Sequence, residues 1–295
     1  MERKRRLSQY LFAVLANAYF LFPWNGLIYQ GGLKKVCFPG LNCYSCPAAT
    51  MSCPLGALQN FFATLRPGLR MGLFQTGAYV IGSLGLVGSF MGRMPCGWIC
   101  PFGLVQDLIY KLPVPKINLW KGLKMGPYIF LCAFVFVLPL FAVDEFGYGS
   151  TWFCKYICPA GSLEAGIPLL LMDKELRSAA GWLFVHKMTI LAVFMIMFSI
   201  VSRPFCRVVC PLGALFGLFN RWSWLQLKFH PDRCLQCRAC RTICPTDVSF
   251  YNGTDALNSG TCIRCLRCLS ICPTGAVSIH FTPVLSGEKN EIKIC

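Results

Sequence analysis

Cys234-Leu-Gln-Cys237-Arg-Ala-Cys240-Arg-Thr-Ile-Cys244-Pro245 is followed by Cys262-Ile-Arg-Cys265-Leu-Arg-Cys268-Leu-Ser-Ile-Cys272-Pro273. This spacing is the bacterial ferredoxin run, present twice. The first three cysteines of a run hold one [4Fe–4S] cubane and the fourth ligates the cluster of the other run. The spacing therefore assigns Cys234, Cys237, Cys240 and Cys272 to one cluster, and Cys262, Cys265, Cys268 and Cys244 to its neighbour. Zinc sites use CxxC pairs at longer separation. Only His186, His230 and His280 are present to serve a Cys/His array or several haems. Arg238, Arg241, Arg264 and Arg267 lie between the ligands; solvated surface is the plainer reading, and a role in raising cluster potential competes with it. Residues 221–295 are read as an α+β dicluster ferredoxin domain. It is too small for a strong hydrophobic core and leans on its clusters.

Upstream the composition changes. Of the 295 residues, 55% are hydrophobic and 14% charged, against roughly 25% charged in soluble domains. Mean hydropathy is +0.54. The formal charge of +16 is explained by basic cytoplasmic loops and by cations offsetting anionic clusters, and a nucleic-acid partner is not expected. Residues 1–220 are read as a domain of four transmembrane helices in lipid, at about Gln9–Ile28, Met71–Gly92, Met125–Val143 and Ala179–Ser202. Each is near the ~20 residues a bilayer needs. His186 and Lys187 are expected to snorkel toward an interface. The basic start, Glu2-Arg-Lys-Arg-Arg6, with an even number of spans predicts a multi-pass inner-membrane protein with both termini cytoplasmic. The acidic balance of the Asp144–Trp182 loop fits an outer position, whereas Lys34, Lys35, Arg66 and Arg70 in the first loop fit it poorly. Trp24, Trp98, Trp120, Trp152 and Trp182 fall near helix ends, where interface anchoring is preferred over a quinone pocket.

Aligning the remaining cysteines exposes a repeat: Cys53-Pro-Leu-Gly-Ala-Leu-Gln, Cys100-Pro-Phe-Gly-Leu-Val-Gln, Cys158-Pro-Ala-Gly-Ser-Leu-Glu and Cys210-Pro-Leu-Gly-Ala-Leu-Phe. Each copy follows one proposed span, the signature of a duplicated helix–loop unit. The first and third copies are expected outside, the second and fourth inside, with a bilayer core of roughly 30 Å between the faces. Three copies carry a cysteine four residues earlier, where i and i+4 share a helical face, and the proline suits the first turn of a following helix whose N-terminus favours an anionic cluster. Cys96, Cys100, Cys206 and Cys210 are thus expected to build an inner cluster. On the outer side Cys37, Cys43, Cys46 and Cys53 either hold one cluster alone or share it with Cys154 and Cys158, six ligands for one four-ligand centre. The spare two form a disulfide if the loop faces an oxidising compartment. Cys132 and Cys295 are read as non-ligands. The expected total is about four [4Fe–4S] clusters.

Met94-Pro-Cys-Gly-Trp-Ile-Cys-Pro-Phe-Gly-Leu-Val-Gln-Asp107 and Pro39-Gly-Leu-Asn-Cys-Tyr-Ser-Cys-Pro47, with the order of CxxxCP pairs and ferredoxin runs, resemble the NapH-like membrane iron–sulfur proteins and the membrane half of NosR-like proteins. The similarity runs from about residue 7 to residue 280. It implies four spans, a cytoplasmic ferredoxin domain, and a role beside quinol oxidation. No flavin-attachment motif or Gly-x-Gly-x-x-Gly fingerprint is visible, so hydride chemistry needs a partner. No catalytic residue of the chain's own is evident. The function expected is electron transfer between a quinol or cytoplasmic donor and a partner redox subunit of cytochrome, flavoprotein or molybdoenzyme class. The rival readings are a redox-sensing or maturation accessory of a metalloenzyme, and an anchor whose clusters only hold the fold.

Overall fold

The structure is a computed structural model that describes residues 1–25, 28–72, 77–248, 257–281 and 291–292. In chain order its principal helices are α1 (Glu2–Ala16), α2 (Pro54–Arg70), α3 (Ala78–Met91), α4 (Pro101–Ile109), α5 (Gly122–Phe141), α6 (Pro159–Met172), α7 (Trp182–Ile200) and α8 (Pro211–Phe219). The odd-numbered helices run between the ferredoxin end of the molecule and the end carrying the Cys37–Cys53 loop. The even-numbered helices each begin at one Cys-Pro of the repeat.

Two of the odd-numbered helices, α5 and α7, are long and apolar enough to cross a membrane; α3 is apolar but shorter. All four turn large apolar side chains outward, including Leu7 and Leu11 on α1, Ile81 and Leu86 on α3, Ile129 on α5, and Val193 and Ile196 on α7. The first helix differs from the span expected at Gln9–Ile28. It begins at Glu2 and ends at Ala16, because the cysteine-bearing loop takes its last carbonyls. Thr50 Oγ1 donates to Leu15 O at 2.9 Å and Asn42 Nδ2 to Ala16 O at 3.2 Å. Satisfying those orphan carbonyls closes the helix. Gly26 and Leu27 of that expected span, and residues 73–76 of the second, lie outside the described residues.

Each even-numbered helix starts in the same way. A residue before proline is pushed out of the helical region, so Cys53, Cys100, Cys158 and Cys210 are all extended, with ψ between 107° and 123°. Proline then occupies the first turn, where its missing N–H costs nothing. The CxxxCP pairs are therefore not two positions on one continuous helix. Cys96 and Cys206 lie on separate single turns, Met94–Trp98 and Pro204–Val208, and the second cysteine caps the helix that follows.

The four Cys-Pro starts converge at mid-molecule. Cys53, Cys158, Cys96, Cys100, Cys206 and Cys210 belong to one buried core, together with Phe102, Phe153, Phe198 and Phe205. Phe153 and Phe205, each preceding the first cysteine of its pair, stand 6.5 Å apart between ring centroids, and Phe205 packs edge-on to Phe102 at 5.2 Å. The expectation of two sets at opposite faces, a bilayer thickness apart, gives way to two sets drawn inward. The even-numbered helices reach in from either end with their N-termini toward the centre, an arrangement tolerated only where irregular backbone is enclosed in protein.

The C-terminal portion is an antiparallel sheet of β1 (Leu225–Phe229), β2 (Val277–Phe281) and β3 (Glu291–Ile292), in that order, with Leu225 opposite Phe281. Two short helices, α9 (Ala239–Ile243) and α10 (Arg267–Ile271), carry the third cysteine of each run, Cys240 and Cys268, and adjoin a core containing Leu227, Val248, Leu257, Val277 and Ile279. Left-handed residues recur at corresponding places in the two runs: Gln236 and Arg264, Arg238 and Leu266, Asp247 and Gly275. Turns of this kind gather backbone N–H groups into an anion-holding concavity.

Candidate metal centres

Cys234, Cys237, Cys240 and Cys272 line one cavity of the ferredoxin domain, and Cys244, Cys262, Cys265 and Cys268 line a second. The fourth cysteine of each run thus sits with the three of the other. Val248 N donates to Cys244 Sγ at 3.5 Å and Ala276 N to Cys272 Sγ at 3.3 Å. Both amides follow a Cys-Pro-Thr turn, which is where the left-handed Asp247 and Gly275 stand.

In the mid-molecule core, Cys96, Cys100, Cys206 and Cys210 neighbour one another electrostatically. A second group joins Cys154 and Cys158 to Cys53 and Cys43. Cys46 neighbours Cys43, but neither it nor Cys37 lines the cavity that the other four share. Cys37 pairs by backbone with Ser52, and the Cys46 thiol is directed at Asn17 Oδ1, 3.8 Å away. The disulfide considered for the spare outer cysteines is absent: every described cysteine is free, and Cys295 lies outside the described residues. Cys132 is exposed on α5.

The repeat's glycine and its last position acquire reasons. In each copy the amide of the glycine three residues after the cysteine faces the thiol: Gly56 to Cys53, Gly103 to Cys100, Gly161 to Cys158, and Gly213 to Cys210 at 3.4 Å. A Cβ on Gly161 would stand 3.6 Å from Cys43 Sγ, and one on Gly56 3.9 Å from Cys154 Sγ. Glycine leaves that space to whatever the opposing thiols hold. The glutamines reach across. Gln59 Nε2 lies 3.2 Å from Cys154 Sγ, and Gln106 Nε2 lies 3.2 Å from Cys206 Sγ. Glu164, at the same place in the third copy, accepts from Cys43 N at 2.6 Å.

Arginines lock the inner loops. Arg203 Nη1 donates to Cys96 O at 2.8 Å, while Arg93, three residues before Cys96 as Arg203 is before Cys206, donates to Cys206 O. Both are buried. Arg203 is held by Asp107 through Nε at 2.8 Å and Nη2 at 2.7 Å, and Arg5 adds a contact to Asp107 at 2.9 Å. Buried donors at Arg93 Nε, Arg207 Nε and Arg207 Nη2 have no protein partner. Thiols opposed in fours, amides and helix N-termini aimed at them, and spare cationic donors all suit an anionic iron–sulfur cluster. Among the described residues no three Cys, His, Asp or Glu side chains surround the position of a single metal ion. Thiolates on the corners of a cubane stand further apart than ligands of one ion.

The ferredoxin domain is seated on the inner loop. A Cβ on Gly97 would lie 2.7 Å from Ile263 O and 3.6 Å from the Cα of Cys265. Trp98 Nε1 donates to Arg264 O at 3.1 Å. Arg264 and Arg267, read from sequence as surface between ligands, belong to this seat. Arg264 is fully buried, donating to Met91 O, Ser223 Oγ and Asn220 O. Arg267 pairs with Glu2 at 2.8 Å. Burial pushes the Glu2 carboxyl up, but hydrogen bonds from Arg5 and Arg267 outweigh it and hold it at about 2. Arg238 is exposed, and Arg241 faces Asp247 at 3.6 Å. Lys187 also departs from its expected place: it lines the outer cysteine cavity and reaches Cys154 O at 3.4 Å, while His186 alone is exposed. Trp24, Trp120 and Trp182 are largely exposed, and no tryptophan lines that cavity.

A family model described as a 4Fe-4S binding domain matches residues 78–119 and 186–231, the two inner loops, and one described as a 4Fe-4S dicluster domain matches residues 226–274. The ferredoxin-type protein MauN of Methylobacillus flagellatus is 28% identical over 82% of this chain and 74% of its own length. NapH of Haemophilus influenzae is 26% identical over 51% of this chain and 46% of its own. The chain belongs with the NapH- and NosR-like polyferredoxins. The matched models are those of 4Fe-4S binding domains, so the chain is an iron–sulfur protein that binds [4Fe–4S] clusters. The polyferredoxin is also 31% identical to an uncharacterised protein, MJ0749, of Methanocaldococcus jannaschii, over 56% of each chain. It spans between half and two thirds of the length of the first curated relatives it matches. No solved structure matches it.

Proposed function

We propose that this polyferredoxin is a multi-pass membrane subunit that carries single electrons between its cytoplasmic ferredoxin domain and a partner redox subunit, by way of the inner thiol set. In this reading α5 and α7 cross the membrane whole, α1 from Leu7 onward and α3 each form part of the other two crossings, Glu2–Arg6 and both termini are cytoplasmic, and residues 1–220 and 221–295 are the two domains. Cys234, Cys237, Cys240 and Cys272 hold the entry cluster, Cys262, Cys265, Cys268 and Cys244 the one beneath it, and Cys96, Cys100, Cys206 and Cys210 the inner one. A [4Fe–4S] cubane supplies a one-electron couple whose potential follows charge, hydrogen bonds and exposure.

The observation that carries this reading is the close approach of Gly97 to Cys265, whose Cα would stand 3.6 Å from a Cβ placed on Gly97. The backbone next to one inner cysteine thus runs beside a cysteine of the nearer ferredoxin run with room for no side chain between them. Arg203 neighbours both Cys206 and Cys265, and Arg207 neighbours Cys244, so the junction is cationic where thiolates face one another. The chain's residues here hold, orient and shield the electron-carrying groups and exclude water from between them.

The test uses the purified chain in liposomes, with dithionite outside as a membrane-impermeant reductant. Freeze-quench EPR is expected to show the ferredoxin signals first and the inner signal after them. In Cys265→Ala the inner signal should form at least tenfold more slowly. An inner signal that forms first, or at an unchanged rate in that variant, would overturn the relay.

A further inference from the structure

We propose that Cys43, Cys53, Cys154 and Cys158 form a second mid-molecule [4Fe–4S] site, set against the inner one across the single peptide unit Leu41–Asn42. The family models stop short of it, since neither matched segment contains any of these four residues. It also stands on residues other than those of the inner relay, so either reading can fail alone.

Four thiols line a cavity of about 730 Å³ together with Gly56, Gly161 and Lys187. The cavity repeats the inner arrangement part for part. Two Cys-Pro helix starts, α2 and α6, point their free amides at the thiols, as α4 and α8 do inside. Gln59 reaches Cys154 as Gln106 reaches Cys206, at the same 3.2 Å. Lys187 donates to Cys154 O as Arg93 donates to Cys206 O. A cation, helix N-termini and four soft thiolates select an anionic iron–sulfur cluster over an oxygen-liganded ion.

The same comparison chooses four ligands from six. The first copy of the repeat lacks a cysteine four residues before Cys53, where Ala49 stands. The fourth thiol therefore comes from further back in the loop. Cys43 supplies it, and Glu164 holds Cys43 by its backbone N–H at 2.6 Å. That is why the third copy ends in glutamate where the first two end in glutamine: its partner is a displaced loop rather than a thiol. Cys37 and Cys46 do not line the cavity.

The two sites touch through consecutive residues. Leu41 and Asn42 both line the outer cavity beside Cys53, and the Leu41 amide is turned toward Cys100 on the inner side. A Cβ on Gly40 would stand 3.2 Å from the Cα of Cys100, so this segment lies directly on the inner loop.

The experiment is iron quantification and EPR on the detergent-purified full chain, intact and with single serine replacements. Cys53→Ser and Cys154→Ser are each expected to lose the same signal and about four irons per chain, while Cys37→Ser and Cys46→Ser keep the full complement. The outer and inner signals should broaden each other when both are reduced, and the inner signal should sharpen in Cys154→Ser. Retention of the ferredoxin signals in each variant establishes that the chain is folded. Iron loss in Cys37→Ser or Cys46→Ser, full iron in Cys53→Ser and Cys154→Ser, or an inner signal unaltered by Cys154→Ser would each overturn the proposal.

Discussion

Gln106 Nε2 meets the Cys206 thiol at 3.2 Å, bridging the second and fourth copies of the repeat. A hydrogen bond to a cluster thiolate stabilises the reduced, more negative state. Replacing Gln106 by Leu removes it with little change in shape. The inner cluster's potential should fall by roughly 20–60 mV, from about 0.5–1.5 kcal/mol per hydrogen bond and about 59 mV per tenfold change for one electron. EPR-monitored redox titration measures the shift, and an unchanged potential would show that the contact does not act on the cluster.

Asp107 is the shared counter-charge of two buried arginines, Arg5 and Arg203, at 2.9 and 2.7 Å. Asp107→Asn leaves Arg203 without a carboxylate and Arg5 with Glu2 alone. Removing one partner of a buried pair costs about 3–5 kcal/mol, so the variant should unfold at lower temperature and release the inner iron before the ferredoxin iron. Thermal unfolding followed by iron release is the measurement. Loss of all iron at a single, unshifted temperature would show that Asp107 carries no such burden.

Gly97 admits no side chain without displacing backbone, because a Cβ would meet Ile263 O at 2.7 Å. Gly97→Ala should lift the ferredoxin domain from the inner loop while leaving every thiol in place. All clusters should still assemble, and reduction of the inner one should slow. Cluster content by iron assay together with freeze-quench kinetics separates this outcome from misfolding.

Glu2 ties the start of α1 to Arg267, and its carboxyl lies at about 2 against an ordinary 4.5. A depressed carboxylate contributes stability that is complete above its unfolded value and is lost as pH falls through the folded one. The docking contribution should therefore be intact at neutral pH and fade from about pH 4.5 toward 2. Glu2→Gln should mimic the acid state at pH 7. Hydrogen exchange across residues 262–271 should rise in that variant and remain at the parental level in Arg6→Gln, since Arg6 touches Glu2 without reaching the ferredoxin domain.

The ferredoxin runs were legible because their spacing is dictated by cluster geometry, and the Cys-Pro-x-Gly copies because a proline and a glycine each have one local job. Helices α5 and α7 were legible from uninterrupted apolar length. The first span was not, because Thr50 and Asn42 end α1 from a distant loop that periodicity does not register. Nor did sequence show that Arg264 is buried or that Lys187 points inward, since each looks like an ordinary surface cation until the opposing loop is in place. The glutamine at the end of the repeat was present in the aligned copies, but its target is a thiol in a different copy, and no local pattern names it. The convergence of both cysteine sets was hidden for a related reason: hydropathy reports crossings, not helices that enter and turn back.

The pairing of the copies is interleaved, first with third and second with fourth. A chain emerging from the ribosome cannot complete the outer set until Cys158 is made, nor the inner set until Cys210 is made. By Cys158 three of the four odd-numbered helices have been synthesised, and by Cys210 all four. Iron delivery to the centre of the molecule is thus confined to a late stage of biogenesis, after insertion. Once in place, two such centres would rivet the front half of the polypeptide to the back half, so a nick in the exposed Lys111–Lys116 connection should leave the halves together until the iron is stripped out.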